Sequence, residues 1–215
     1  MLDSLHQESH VTGLNRYPLL YSGALAVANA LYGSSHVSIL VLGCSTGEEP
    51  YTLATQYFAR ASHRIHATDI CASVVDIAST RYPHPRISYS SVGAPRIPWQ
   101  SACNIVFANS VFCRWPASRG VESIAEFYPF SVFETALAEI DQQLVMGGLL
   151  ALYNANYRLS DTSLAHRYVP LRLPGLEESG FVTKFDPDGQ VSADQAYPYA
   201  LFLKVADPAV VLAAS

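Results

Sequence analysis

A short apolar run that stops at a glycine is the feature that most constrains how this chain folds. Residues 37–43 read VSILVLG, and residues 44–51 continue as CSTGEEPY. A continuous aliphatic run of this length, ending in glycine, is typical of a strand buried on both faces of a parallel sheet. Pro50, together with the spacing of Ser45 and Thr46 from the glutamates that follow, indicates that a helix begins there. The stretch is therefore predicted to be a strand, a tight loop and a helix.

The same alternation of strand and helix continues along the chain. Helices are predicted at residues 18–32, 48–61, 71–80 and 122–145, and strands at residues 37–43, 64–70, 86–90, 104–110, 148–156, 181–185 and 197–205. This pattern predicts an α/β fold with a doubly wound, mostly parallel, seven-stranded sheet. No helix separates the last two strands, so we expect an antiparallel edge. We assign residues 1–33 to a short N-terminal helical lid and residues 34–215 to the sheet domain.

Composition narrows the class of function. The 215 residues carry a net charge of −5, and only 14% of them are charged while 50% are hydrophobic. This balance argues against a general nucleic-acid surface. No apolar run is long enough to span a bilayer, and the N-terminus lacks the basic start and apolar core of a signal peptide. We expect a cytoplasmic protein with reduced cysteines, no metal site and, given the scarce surface charge, a possible homodimer.

The loop after the first strand lies where a doubly wound sheet binds ligands. It has neither the GxGxxG of a dinucleotide site nor the GK[ST] of a phosphate loop, and Glu48 and Glu49 would repel a pyrophosphate. Two acids suit a ligand with a positive centre, and Asp69, at the end of the second strand, stands where an acid binds ribose hydroxyls. S-adenosylmethionine carries an ammonium, a sulfonium and a ribose. The alternative is that the glutamates only serve the helix dipole.

Two segments resemble known motifs. Residues 44–51 resemble the first motif of the chemotaxis receptor (CheR-type) methyltransferases, and residues 67–70, ATDI, resemble the second. Thr12 and Arg16 keep the spacing of a Thr four residues before an Arg in the same family. The resemblance covers about residues 10–155 and implies a Rossmann-like class I S-adenosylmethionine-dependent methyltransferase fold.

The resemblance also implies a set of cofactor contacts. Arg16 would bind the carboxylate of S-adenosylmethionine, Glu49 its amino end and Asp69 its ribose. Val92 and Gly93 fall where the family holds adenine. The implied cofactor-binding residues are Thr12, Arg16, Gly43, Ser45, Thr46, Gly47, Glu49, Asp69, Ile70, Val92, Gly93 and Asn109.

The chain departs from the family where the family binds its protein substrate. Asn109 and Ser110 replace an Arg-Asn pair, and residues 153–156, YNAN, replace a Gly-His-Ser-Glu run. The helical domain and the insertion that bind the receptor have no recognisable counterpart. Methylation of a receptor glutamate is therefore not expected. Because methyl transfer is the common use of the fold, we expect an acceptor that is a small metabolite or natural product.

Three activities stay open at this stage. In methyl transfer, the candidate catalytic residues are Asn109, Ser110, Tyr153 and Asn154. In the alternative, the amine of S-adenosylmethionine attacks its own γ carbon, forming azetidine-2-carboxylate and releasing methylthioadenosine. Asn109, Ser110 and Asn154 would then orient the neutral amine, whose pKa a closed apolar pocket would lower. The third possibility is a non-catalytic protein that binds the cofactor.

Tyrosines supply the candidate aromatic surfaces. Tyr17, Tyr21 and Tyr32 are candidate lid residues, and Tyr153 and Tyr157 lie at the end of the predicted fifth strand. Aromatic faces there would hold a sulfonium by cation–π contact.

Overall fold

A single seven-stranded sheet organises the chain, and the computed structural model describes residues 10–91 and 102–206. The strands are β1 (Ser38–Leu42), β2 (Arg64–Asp69), β3 (Ile87–Ser91), β4 (Cys103–Phe107), β5 (Leu144–Ala151), β6 (Tyr168–Leu171) and β7 (Leu201–Lys204). Their order is β3-β2-β1-β4-β5-β7-β6. Neighbouring strands are parallel except where β7 pairs with β5 and β6. The predicted α/β fold with a mostly parallel seven-stranded sheet is confirmed.

Helices cover both faces of the sheet. They are α1 (Pro18–Tyr32), α2 (Glu48–Thr52), α3 (Ala72–Arg81) and α4 (Phe130–Gln143). A π-helical turn, Leu53–Tyr57, extends α2, so this helical segment ends four residues before the predicted end. The guanidinium of Arg86 donates to the carbonyls of Phe58 and Arg60, at 2.6 and 3.1 Å, and so satisfies backbone groups beyond that end. No helix in the described ranges is both long and apolar enough to cross a membrane.

The central strands are buried on both faces, which explains the apolar run at residues 37–43. Ile39 and Val41 belong to the core cluster under α1, whereas Leu40 belongs to the cluster that packs on α4. Successive side chains of a strand point to opposite faces, so a strand between two helical layers needs apolar residues at every position.

The helix predicted at residues 122–145 is shorter than expected. α4 begins only at Phe130, because Pro129 has no backbone N–H and disfavours helical geometry in the residue before it. Its end is also misplaced in the prediction, since β5 begins at Leu144. Gly147, expected to stop the helix, lies inside β5 with a φ of 72°.

The predicted strand at residues 181–185 is wrong. Phe185 makes only an isolated bridge to Val191, and the sixth strand is β6. The sequence of β6 contains Pro170, which argues against a central strand but is tolerated at a sheet edge. The antiparallel strand is β7, and it lies between β5 and β6 rather than at the edge.

A buried cluster of charged side chains lies at the amino ends of β5 and β6. The carboxylate of Asp141 lies 2.5 Å from Arg167 Nη1 and 3.7 Å from Lys204 Nζ, and it accepts a hydrogen bond from Tyr168 at 2.9 Å. All four side chains are buried. This end of the sheet is therefore filled by structural contacts.

α1 runs antiparallel to the central strands, from the carboxyl edge of the sheet, where those strands end, to the amino edge, where they begin. Its first turn lies at the carboxyl edge, while Tyr32, in its last turn, donates to the carbonyl of Gly147 at 2.7 Å. Gly147 is in the first half of β5, so Tyr32 sits at the amino edge and is not a lid residue, contrary to the prediction. The division into a lid of residues 1–33 and a sheet domain stays a prediction.

Candidate functional site

Backbone strain is concentrated at the carboxyl edge of the sheet. Within the described residues, the non-glycine residues with positive φ are Asn15, Ser45, Ser110 and Asn154, at 47–57°. Ser45, Ser110 and Asn154 lie in the loops that follow β1, β4 and β5, and Asn15 donates to Thr52 of α2 at 3.0 Å. Left-handed residues of this kind persist where the surroundings hold them, and they cluster at functional sites. These residues therefore mark the same edge at which the sequence predicts the site.

The loop after β1 needs its two glycines. Gly43 has a φ of 63°, and a Cβ atom there would lie 2.8 Å from Val111 in the loop after β4. Gly47 has a φ of 96°, and its Cβ atom would lie 2.9 Å from that of Ala78 in α3. The loop thus packs directly against its neighbours in a conformation that favours glycine.

Asp69 joins the loops after β1 and β2. Its buried carboxylate accepts from the backbone N–H of Ser45 at 2.9 Å and from that of Cys71 at 3.0 Å, one on each oxygen. Each carboxylate oxygen has a further lone pair, so the group is oriented and still has capacity to accept from a ribose diol. Ile70 beside it is 43% exposed and offers an apolar surface.

The two glutamates of the loop have different roles. Glu48 accepts from Arg81 Nη1 at 3.0 Å and from the Thr46 hydroxyl at 2.7 Å, which assigns Glu48 and Thr46 to holding the loop against α3. Glu49 Oε1 accepts from Asn109 Nδ2 at 2.6 Å and from the Tyr21 hydroxyl at 3.2 Å. Of the two glutamates, Glu49 is therefore the one that hydrogen-bonds the loop after β4.

Glu49 is a buried carboxylate whose hydrogen-bond donors are neutral. Burial raises its pKa to about 7, although the bonds from Asn109 and Tyr21 and the charge of Arg16 act in the opposite direction. Burial also raises the pKa of Tyr21, so this hydroxyl stays a donor. Asn109 Oδ1 is buried with no hydrogen-bond partner in residues 10–91 and 102–206. A carboxylate beside an unused acceptor fits a ligand that brings N–H groups and positive charge.

A second hydrogen-bonded cluster lies beside the first. The Ser110 hydroxyl bonds the Tyr17 hydroxyl at 2.8 Å and accepts from Asn154 Nδ2 at 2.9 Å. Burial raises the pKa of Tyr17 to about 12, so Tyr17 is a neutral phenol at physiological pH. The rings of Tyr17 and Tyr153 lie 4.9 Å apart between centroids. The predicted catalytic residues Asn109, Ser110, Tyr153 and Asn154 are thus brought together.

The N-terminal segment 10–17 lies across the site. The Ser45 hydroxyl donates to the carbonyl of His10 at 3.1 Å. Arg16 donates to the carbonyl of Val11 at 2.5 Å, and its guanidinium carbon lies 5.2 Å from the centre of the Tyr17 ring. Thr12 is partly exposed in the same segment. The roles predicted for Thr12 and Arg16 in binding the cofactor stay predictions.

Sequence reasoning missed one segment near the candidate site and, besides Tyr32, misplaced a second tyrosine, Tyr157. Residues 179–181 bond Asn154 through the backbone, but the sequence offers no motif there, and 181–185 was expected to be a strand. Tyr157 is 1% exposed, and its hydroxyl donates to the carbonyl of Tyr128 at 2.5 Å, so it packs in the core rather than facing a ligand. Val92 and Gly93, the predicted adenine contacts, lie outside the described residues.

Comparison with known proteins agrees with this geometry. Residues 15–90 match the S-adenosylmethionine-binding domain of the CheR methyltransferases. No protein of the curated set matches the sequence. Among solved structures, TrmN from Thermus thermophilus aligns with a TM-score of 0.50 and 14% identity, over 89% of this chain and 53% of that chain.

Two further solved structures are similar at lower scores. A TehB-like S-adenosylmethionine-dependent methyltransferase from Corynebacterium glutamicum aligns at a TM-score of 0.47 and 17% identity, over 85% of this chain and 87% of that one. An amino pentose methyltransferase of calicheamicin biosynthesis from Micromonospora echinaspora aligns at 0.41 and 18% identity. That alignment covers 62% of this chain and 50% of the methyltransferase, so the chain spans about half of that relative.

The family match covers residues 15–90, from just before α1 to β3, and it includes the loop after β1 and the acid that ends β2. The strand order and the antiparallel β7 are those of the class I methyltransferases. The chain therefore has the class I methyltransferase fold, and its residues 15–90 are similar to the S-adenosylmethionine-binding domain of the CheR methyltransferases.

Proposed function

We propose that this protein transfers the methyl group of S-adenosylmethionine to a small molecule. The observation that carries the proposal is the aromatic wall beside the loops that follow β4 and β5, which consists of two pairs of rings. The tilted rings of Tyr17 and Tyr153 lie 4.9 Å apart between centroids, and Trp115 and Phe181 meet edge to face at 6.0 Å. Such a wall suits a compact acceptor better than a protein side chain presented on a helix.

The site residues have complementary tasks in this proposal. Asp69 binds the ribose, and Glu49 with Asn109 binds the amino end of S-adenosylmethionine. Ser110 and Asn154, held in left-handed conformations, orient the acceptor beside the methyl group. Methyl transfer is an in-line displacement, in which alignment of the two reactants supplies much of the rate enhancement.

The proton balance of the site favours an acceptor that is already nucleophilic. Glu49 is the site carboxylate whose pKa, at about 7, lies near neutral pH, and its Oε1 is bonded to Asn109 and Tyr21. Tyr17, with a pKa of about 12, stays protonated. An amine, thiolate or carboxylate acceptor therefore fits this site better than an alcohol, which needs a strong base at its oxygen.

A second candidate function is favoured by the surroundings of Glu49. In cyclisation, the ammonium of S-adenosylmethionine gives a proton to the Glu49 carboxylate. The amine nitrogen then bonds to the γ carbon as the bond from that carbon to sulfur breaks, and methylthioadenosine leaves with the bonding electrons. A buried carboxylate with a pKa near 7 has the basicity to accept such a proton at neutral pH.

Product analysis by mass spectrometry distinguishes the two reactions. The purified protein is incubated with S-adenosylmethionine, alone and with mixtures of small amines, thiols and carboxylic acids, against a protein-free blank. Methyl transfer predicts S-adenosylhomocysteine and a methylated acceptor only in the mixtures. Methylthioadenosine above the blank, with an equal amount of azetidine-2-carboxylate, would replace methyl transfer by cyclisation. Neither product in any arm, with the cofactor bound, would contradict both reactions.

The matched variants are Asp69→Ala, which removes the proposed ribose contact, and Asp76→Ala, which removes an exposed acid of α3. Product formation is expected to fall at least tenfold in the first and to stay unchanged in the second. Equal activity of the two variants would remove Asp69 from the site.

A further inference from the structure

Phe181 carries an exposed aromatic side chain close to the candidate site. It is 64% exposed and lies in the segment between β6 and β7. Its backbone N–H donates to Asn154 Oδ1 at 2.9 Å, and Asn154 Nδ2 donates to the Ser110 hydroxyl at 2.9 Å. A single amide side chain therefore connects the backbone of Phe181 to Ser110. Phe181 is thus held at the carboxyl edge of the sheet, with its ring accessible to a ligand.

The ring of Trp115 packs against that of Phe181. The two centroids are 6.0 Å apart and the ring planes are perpendicular, which is a favoured arrangement of aromatic rings. Trp115 follows Arg114, whose backbone N–H donates to Asn156 Oδ1 at 2.7 Å. Asn154 and Asn156 are both fully buried. Two buried amides of the loop after β5 therefore position the two segments that carry these rings.

This ring pair is connected to the polar residues that are proposed to orient the acceptor. Hydrogen bonds join Tyr17, Ser110, Asn154 and Phe181 in that order, through the Tyr17 hydroxyl, the Ser110 hydroxyl and the Asn154 amide. Tyr17 contacts the ring of Tyr153 at one end of this series, and Phe181 contacts a second ring at the other end. The polar groups that face the acceptor thus have an aromatic pair at each end.

Aromatic side chains in such a position favour a flat apolar group on the acceptor. A ligand ring that contacts Phe181 buries apolar surface and can take the offset or edge-to-face arrangement that aromatic pairs prefer. The preference of one ring for another, beyond the area buried, corresponds to about two- to tenfold in affinity. This edge therefore distinguishes acceptors that carry a ring from acceptors that carry an alkyl chain.

We propose that Phe181 determines acceptor specificity, and that the acceptor is a small molecule with an aromatic ring next to its nucleophilic group. The inference rests on the proposed methyl transfer and names the substrate class of that same site. A lone pair on the nitrogen, sulfur or carboxylate oxygen of the acceptor forms the bond to the methyl carbon. The bond from that carbon to sulfur breaks, and its electrons stay on sulfur in S-adenosylhomocysteine. An amine acceptor then loses a proton to water.

The test uses pairs of acceptors that share a nucleophile and differ in the ring. The pairs are benzylamine and butylamine, phenylmethanethiol and butanethiol, and phenylacetate and pentanoate. The kcat/KM for formation of S-adenosylhomocysteine is measured with the wild type, Phe181→Ala, Phe181→Leu and Phe181→Tyr. These variants all keep the backbone N–H that donates to Asn154. The matched control is Leu31→Ala, which truncates an exposed apolar side chain near the other end of α1.

The expected result separates acceptor selection from cofactor binding. In the wild type, kcat/KM should be at least about fivefold higher for the ring-bearing member of the pair whose nucleophile is used. Phe181→Ala and Phe181→Leu should reduce this preference to within about twofold, whereas Phe181→Tyr and Leu31→Ala should keep it. The Kd for S-adenosylmethionine, measured by calorimetry, should stay within about twofold in every variant, because the proposed contact is with the acceptor.

Other outcomes overturn the inference. If the wild type uses both members of a pair equally, or if Phe181→Ala keeps the preference, Phe181 does not select the acceptor, although the proposed methyl transfer stands. An equal loss of kcat/KM for both members would assign Phe181 a structural role. If light scattering shows a wild-type dimer that Phe181→Ala dissociates, the ring pair is an interface between copies. A wild type that binds S-adenosylmethionine but methylates none of the six acceptors would exclude the aromatic class. Absence of S-adenosylmethionine binding would contradict the proposed function as well.

Discussion

Replacing Glu49 by Gln should remove a pH dependence of stability that the wild type carries. The Glu49 carboxylate is 7% exposed, and its pKa is raised to about 7 from an ordinary value of 4.5, chiefly by burial. A carboxyl group whose pKa is raised by folding stabilises the folded state below pH 4.5. This contribution is lost as the pH rises through 7.

The size of the effect follows from the shift. The rise in the pKa of Glu49 from 4.5 to about 7, at about 1.4 kcal/mol for each pH unit, corresponds to about 3 kcal/mol of unfolding free energy. Gln keeps a carbonyl oxygen that can accept from Asn109 and Tyr21 but carries no charge. The stability of Glu49→Gln relative to the wild type should therefore increase by about 3 kcal/mol between pH 4 and pH 8.5.

Urea denaturation of the ligand-free protein, followed by circular dichroism at both pH values, measures this difference. The matched control is Glu48→Gln, which removes the carboxylate bonded to Arg81 and Thr46 and is expected to lower stability at pH 8.5. A relative stability of Glu49→Gln that is the same at pH 4 and pH 8.5 would refute the reasoning, because Glu49 would then ionise without cost.

Three further predictions concern binding and packing. If ionised Glu49 binds the ammonium of S-adenosylmethionine, calorimetry should show that the affinity of the wild type increases by up to about tenfold per pH unit as the pH rises towards 7. The affinity of Glu49→Gln should not depend on pH in this range. Gly47→Ala, at a φ of 96° and 2.9 Å from Ala78, should lower the unfolding free energy by about 2 kcal/mol, whereas Gly13→Ala, with open space around it, should change it little. Asp141→Ala removes the carboxylate that two buried cations face and should cost about 3–5 kcal/mol, with unchanged S-adenosylmethionine affinity of the folded protein; a loss below 1 kcal/mol would contradict the role of this cluster.

The sequence predicts most of the sheet because buried parallel strands carry a strong signal. β1 follows from an uninterrupted apolar run that ends at Gly43, and α1 has the bounds that its small and apolar residues after Pro18 predict. β6 escaped prediction because Pro170 weakens its pattern, and only its position at the edge makes that proline acceptable. Whether a strand lies at the edge of the sheet depends on the arrangement of all strands, so the local sequence of β6 could not predict its position.

The candidate site shows the same limit. The residues of the loop after β1 and Asp69 can be predicted because a motif brings them together in the sequence. The distinct tasks of Glu48 and Glu49 could not, since they depend on Arg81 and Asn109, which are distant in the chain. The contact between Ser179 and Asn154 likewise results from tertiary packing.

The most direct test of S-adenosylmethionine binding at this edge is a calorimetric titration of the ligand-free protein. The wild type, Asp69→Ala and the exposed control Asp76→Ala are compared at the same pH. We expect one S-adenosylmethionine per chain in the wild type and in Asp76→Ala, and a Kd at least about tenfold higher in Asp69→Ala, a loss of about 1.4 kcal/mol. Equal affinity of Asp69→Ala and the wild type would contradict the placement of the ribose at the end of β2.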